Sequence, residues 1–220
     1  MILDDPFLGS LTTDHAHLAI GNDLVKRYPP EIAPFAGLVE QTPAAEAAMC
    51  ELFAPGEKAC HVGRRFEGPE WELVKHFFLL QFVYSGEEPD SHDPRLVALA
   101  DDDIGAMLEL TALVYPAYFR PETAKLGPYF GMWDGDRLVA MAGMRMSMPG
   151  WKEISAVCVH PDFRGQGLAK ALLAKLVSEI HALGCEAFLH TEHDNPGQHL
   201  YSKCGFVVRE RIPFWVLNRV

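Results

Sequence analysis

A strand-like run, EISAVCV (residues 153–159), is closed by His160-Pro161. It is followed by a glycine-bearing turn, Arg164-Gly165-Gln166-Gly167, and then by leucines at helical spacing from Leu168 onward. A turn that leads straight into a helix directs several backbone N–H groups without intrahelical partners at one point, where the helix dipole adds positive potential. A pyrophosphate fits there, and glycine lets the backbone come close to it. The letters exclude two other phosphate-binding patterns. A dinucleotide fingerprint built on Gly165 and Gly167 would find Lys170 at its third glycine, and no G-K-[ST] of a Walker loop occurs in the chain.

Further along, Asn195 precedes Tyr201 by the spacing N-x-x-x-x-x-Y, and LYSKCGF carries a Gly-Phe step after the tyrosine. Alone, such a tyrosine is an amphipathic packing residue, and such a turn is a tight connection. Together and in order they carry more. A hairpin, EISAVCVHPDFRGQGLA, a long apolar helix, FLHTEHDN and LYSKCGF follow one another through the second half of the chain. This half resembles the GNAT superfamily of acyl-CoA N-acyltransferases, and more narrowly its FR47-like branch. The resemblance implies an α/β fold with the mixed central sheet of that superfamily, acetyl-CoA as donor and free CoA as product. It implies that Arg164, Gly165, Gln166, Gly167, Leu168 and Ala169, which fit R-x-x-G-x-A, hold the cofactor pyrophosphate mainly through backbone. It also places the pantetheine arm along Val157, Cys158 and Val159, gives Asn195 a cofactor contact, and makes Tyr201 the acid that protonates the departing thiolate.

The reaction so implied moves an acetyl or other short acyl group to a primary amine of a small-molecule or peptide acceptor, by direct attack through a tetrahedral oxyanion. A backbone N–H near Cys158 or Val159 would stabilise that oxyanion. The amine must first lose a proton, and Glu153, Glu192 and His190 are the candidate bases, each with a structural role as its alternative. Cys158 as a nucleophile is the rival, but a cysteine in an apolar strand without a placed base is a packing residue. His190, His193, Asp194 and His199 are of zinc-ligand type, yet they fall on a strand end, a loop and a helix, and no metal site is expected. The alternative from another class is a CoA-binding sensor or interaction module that keeps the fold without turnover; the tyrosine argues against it.

Several elements must position these groups. Thr13 or Asp14 is expected to cap a helix running toward Tyr28, and Thr42 with Pro43 to start a second one over the alanine-rich AAEAAMCELF. PFAGLVE, KACHV and HFFLLQFVY read as strands. After Asp101, Asp102 and Asp103 a helix runs to Tyr115, and YFGMW and RLVAMAGMRMSM flank the hairpin turn Asp134-Gly135-Asp136. Met144, Met146 and Met148 alternate onto one strand face. Asn195 caps a short helix with Pro196 at its first position, and Pro213 predicts that the last strand is interrupted or lies at an edge.

The acidic segment GEEPDSHDP (residues 86–94) reads as an exposed connection between an N-terminal α/β part of unassigned role, residues 1–94, and the acyltransferase domain, residues 95–220. The N-terminal part alternates helices and strands much as a degenerate acyltransferase half would. Residues 1–94 hold 6 Lys+Arg against 16 Asp+Glu and residues 95–220 hold 13 against 14, so the second part can host an anionic cofactor. The net charge of −11 argues against a nucleic-acid partner. Five cysteines without a C-x-x-C pair, no basic-then-apolar leader and no long apolar run predict a reducing, cytoplasmic location away from the membrane. Sequence alone leaves the oligomeric state open.

Overall fold

The computed structural model describes residues 1–66, 68–116 and 118–220. In chain order the elements are α1 (Pro6–Leu11), β1 (Ile20–Gly21), β2 (Val25–Arg27), β3 (Ala36–Leu38), α2 (Pro43–Leu52), β4 (Lys58–Val62), β5 (Trp71–Tyr84), β6 (Val97–Leu99) and α3 (Ile104–Val114). They continue with β7 (Tyr129–Asp134), β8 (Arg137–Met148), β9 (Trp151–Val159), α4 (Leu168–Ala182), β10 (Glu186–Glu192), α5 (Gln198–Lys203) and β11 (Phe206–Arg219). Local chemistry explains most boundaries. Thr42 caps α2 by accepting the Ala45 N–H at 3.3 Å, with Pro43 in the first turn. The β7–β8 hairpin turns on Gly135 at φ +59°, where a side chain would be strained.

The first helix lies earlier than the sequence suggests. Asp5 accepts the Leu8 N–H at 2.9 Å, Pro6 opens α1, and the helix ends at Thr12. Thr13 and Asp14 therefore follow a helix instead of capping one; Asp14 binds the Ser147 hydroxyl and Lys152 Nζ, each at 2.7 Å.

The strands form a small sheet, β1-β2-β3, and an eight-stranded mixed sheet in the order β4-β11-β5-β10-β9-β8-β7-β6. This arrangement corrects the division at residue 94. β5 lies inside the large sheet, pairing antiparallel with β10 (Phe188 opposite Val83) on one side and with β11 (Phe206 opposite Tyr84) on the other. Residues 1–94 thus supply two strands of the sheet that carries the second half, and segment 86–94 links strands of a single sheet. Pro213 is accommodated for a related reason: β4 pairs with β11 only from Phe214 to Asn218, so at Pro213 β11 is an outer strand, continuous but unpaired on that side.

Alternation along the strands separates two faces. Ala187 and Leu189 of β10 pack with Leu172, Leu176 and Ile180 of α4, whereas Phe188 between them packs with Phe7 and Leu11 of α1. Each such buried leucine, isoleucine or phenylalanine contributes about 1.5–3 kcal/mol. The three methionines of β8 do not share a face, because the register shifts between Met144 and Ser147. Met144 joins the α4 side, while Met146 and Met148 join the α1 side.

Candidate active site

β9 and β10 run parallel and pair from Trp151 opposite Glu186 to Ile154 opposite Leu189. Beyond Leu189, β10 follows β5 while β9 stays with β8, so a wedge opens between them. At its apex β9 bulges. Three steps from Ser155 to Cys158 face two on β8 from Gly143 to Met141, and Ala156 adopts φ +52°, uncommon for a residue with a Cβ. The His160 N–H bonds Val139 on β8 at 2.8 Å, so strand alternation turns the amide of Val159 the other way, into the wedge.

The wedge is part of a cavity of about 670 Å³ that brings together nearly every residue singled out by sequence: Val157, Cys158 and Val159, Arg164, Gly165, Gly167, Leu168 and Ala169, and Asn195, Glu192 and Tyr201. Two of those residues lie elsewhere. Gln166 lines a separate depression of about 240 Å³ with Lys170 and Arg95, and Glu153 is fully buried beneath the floor.

The loop before α4 suits an anion. Gly165 and Gly167 both stand at φ +78°, and a Cβ at either would project into open space with no atom within 4 Å. The amides of Gly165, Gln166 and Gly167 have no protein acceptor among the described residues, and the first turn of α4 adds its own free N–H groups. A pyrophosphate would satisfy them together.

Asn195 and Tyr201 complete the wall. The Asn195 carboxamide oxygen accepts the Gly197 N–H at 2.8 Å, closing a turn, and α5 begins only at Gln198; Asn195 therefore shapes the approach to the helix and does not cap it. Tyr201 packs against Phe82 and Phe206 at ring distances of 5.8 and 6.4 Å, and its hydroxyl has no protein partner among the described residues. Burial, helped by Cys158 and Cys204, pushes its phenol up to about 12, so it keeps its proton. Burial also pushes the Cys158 thiol to about 12, in line with its place as a packing residue of the apolar strand.

The three candidate bases separate sharply. Glu153 accepts Arg145 Nε and Nη2 at 2.8 and 2.7 Å and His190 Nδ1 at 2.7 Å. Burial alone would raise its pKa, but Arg145 and then His190 outweigh burial and hold the carboxyl well below the usual range. The expectation that Glu153 is the base is corrected: it is dry, paired and a poor proton acceptor, and it ties β9 to β10 where they begin to part. His190 is committed too, since its Nε2 accepts from Gln81 Nε2 at 2.9 Å. Glu192 remains on the cavity wall, accepting Lys75 Nζ at 2.9 Å and the Tyr115 hydroxyl at 2.5 Å. His193 pairs with Asp194 at 3.0 Å, away from the committed His190.

Sequence reasoning missed the other end of the cavity, which is walled by Phe7, Phe35, Phe77, Tyr115, Tyr118 and Phe214 with Arg145 beside them. The available signal was the aromatic density of YPAYF and HFF; what hid it was the distance between those segments along the chain.

With this geometry in place the comparisons are direct. The chain belongs to the acetyltransferase (GNAT) family, whose model matches residues 79–206. It is similar to N-alpha-acetyltransferase MAK3 of Arabidopsis thaliana, 27% identical over 151 residues that cover 68% of this chain and 78% of that protein. A crystal structure from Novosphingobium aromaticivorans, assigned to the same family of acetyltransferases, superposes with a TM-score of 0.92 at 30% identity, covering 100% of this chain and 99% of the other. A GCN5-related N-acetyltransferase from Kribbella flavida shares the fold at 16% identity, with a TM-score of 0.60 over 96% of this chain and 91% of its own. No helix among the described residues is long and apolar enough to cross a membrane.

Proposed function

We propose that this acetyltransferase moves an acetyl or other short acyl group from acetyl-CoA to a primary amine by direct attack, with Tyr201 as general acid and Glu192 as general base. The observation that carries the reading is the single cavity in which the anion-binding loop, the free edge of β9, Tyr201 and Glu192 meet. When bound, acetyl-CoA supplies an electrophilic carbonyl and a thiolate leaving group. Arg164, Gly165, Gly167, Leu168 and Ala169 hold its pyrophosphate, with the Gln166 backbone in the same turn. Val157, Cys158 and Val159 line its thioester arm, and Asn195 contacts it from the facing wall. Glu192 takes the proton lost by the amine nitrogen as the C–N bond forms, and the Val159 amide faces the oxygen that gains charge. As the C–S bond breaks, Tyr201 gives its proton to sulfur and recovers one from solvent.

The order of the loop, FLHTEHDN and LYSKCGF supports placement in the FR47-like branch. Five unpaired cysteines support a reducing, cytoplasmic setting. The likeness to an N-alpha-acetyltransferase makes a peptide α-amine one acceptor to include in tests. A panel of primary amines with acetyl-CoA, read by thiol release, should show turnover with at least one acceptor. Binding of CoA with no thiol release across the panel would support a sensor instead.

A further inference from the structure

We propose that the acceptor is a small primary amine carried on an aromatic body, seated against Phe77, Tyr115 and Tyr118 at the far end of the cavity with its nitrogen toward Glu192. This rests on the acetyl-transfer reading above and names its substrate class.

Phe77, Tyr115 and Tyr118 are the partly exposed members of one stack, backed from the core by Phe7, Phe35 and Phe214, each at most 2% exposed. Phe7 stacks on Phe35 at 4.5 Å, Phe35 on Tyr118 at 6.0 Å, and Tyr118 meets Tyr115 at 5.7 Å and Phe214 at 6.2 Å. Phe214 then meets Phe77 at 5.0 Å. A flat apolar body gains offset and edge contacts on such a wall, and a primary ammonium is drawn to ring faces as it arrives.

The charges at this end are already matched. Arg145 is paired with Glu153, and Glu192 with Lys75. A polyamine or an amino acid would bring further charges into a place whose charged side chains are already paired and whose free groups, the Tyr129 and Thr191 hydroxyls, are neutral, and unpaired charges are costly to bury. The nitrogen of an aromatic amine brings one charge, which it sheds to solvent before attack, leaving Glu192 free for the proton released as the C–N bond forms.

A side-chain bridge crosses this end of the cavity. Tyr115 bonds Glu192, Glu192 bonds Lys75, and Lys75 Nζ sits 4.3 Å from the centre of the Phe77 ring. This bridge runs from the end of α3 across β10 to β5. Tyr115 is 40% exposed and the Lys75 side chain 51%, so the bridge stands at the surface.

The test measures kcat/KM by thiol release for 2-phenylethylamine, ethanolamine, spermidine, glucosamine and a peptide with a free polar N-terminal residue. The aromatic amine should lead the polar small amines by about 10²-fold or more, in keeping with what apolar contacts contribute to selectivity. Tyr118→Leu and Phe77→Leu should each raise its KM about three- to tenfold, with CoA affinity by calorimetry unchanged. Preference for a polar amine or the peptide, or a KM that neither variant moves, would overturn the aromatic acceptor and leave acetyl transfer standing. CoA binding with no thiol release from any amine would overturn both.

Discussion

The Glu153 carboxylate receives Arg145 from β8 and His190 from β10; His190 is nearly as enclosed as the acid, and Arg145 is mostly buried. Removing one member of such a buried set leaves the other charge unpaired, which costs far more than the set contributes as a whole. Glu153→Gln should therefore lower unfolding free energy by about 3–5 kcal/mol, read by urea denaturation. Because the folded carboxyl titrates below its usual value of 4.5, its contribution is present above that value and is lost as pH falls below it. The variant should thus show a flatter loss of stability below about pH 4.5 than the parent protein. An unchanged midpoint would mean that the set is not a tie. At this scale the sequence was legible where spacing is local: the loop from Arg164 to Ala169 and the pair Asn195 and Tyr201 all fall within short stretches. Glu153 was misread because His190, which takes one of its oxygens, is 37 residues away and reaches it only through strand pairing.

At the junction of β9, its following loop and α4 the secondary structure leaves several backbone N–H groups without protein acceptors among the described residues. Gly167 occupies the left-handed position just before α4 with open space over its α-carbon, so a side chain there would occupy the volume that an anion needs. Gly167→Val should abolish CoA binding by calorimetry. Its fold should survive, since a Cβ there has no protein atom within 4 Å, at a backbone cost of about 1–3 kcal/mol. Unchanged CoA affinity in the folded variant would place the pyrophosphate elsewhere. The strands and α4 were readable from periodicity and glycine punctuation. The bulge at Ala156 was not, because an extra residue on β9 shows only against its partner β8.

Across the molecule, β5 occupies the position between β10 and β11, so the second half lacks a sheet strand when residues 1–94 are removed. Residues 95–220 expressed alone should show no cooperative thermal transition, whereas cleavage within the exposed segment 86–94 should leave both pieces associated on size exclusion. A stable, cooperatively folding 95–220 fragment would contradict this. The expected boundary arose because composition and charge change near residue 94, while long-range strand pairing leaves no local mark in sequence; the same is true of the aromatic pocket, assembled from positions between 7 and 214. Proton delivery to the leaving sulfur is the central step proposed for this enzyme, and one measurement addresses it directly: steady-state thiol release by Tyr201→Phe beside its CoA affinity. The phenyl ring keeps its packing on Phe82 and Phe206 while the transferable proton is lost, so kcat should fall about 10²- to 10⁴-fold with CoA affinity unchanged. Full turnover by the variant would contradict the assignment of Tyr201 as the acid.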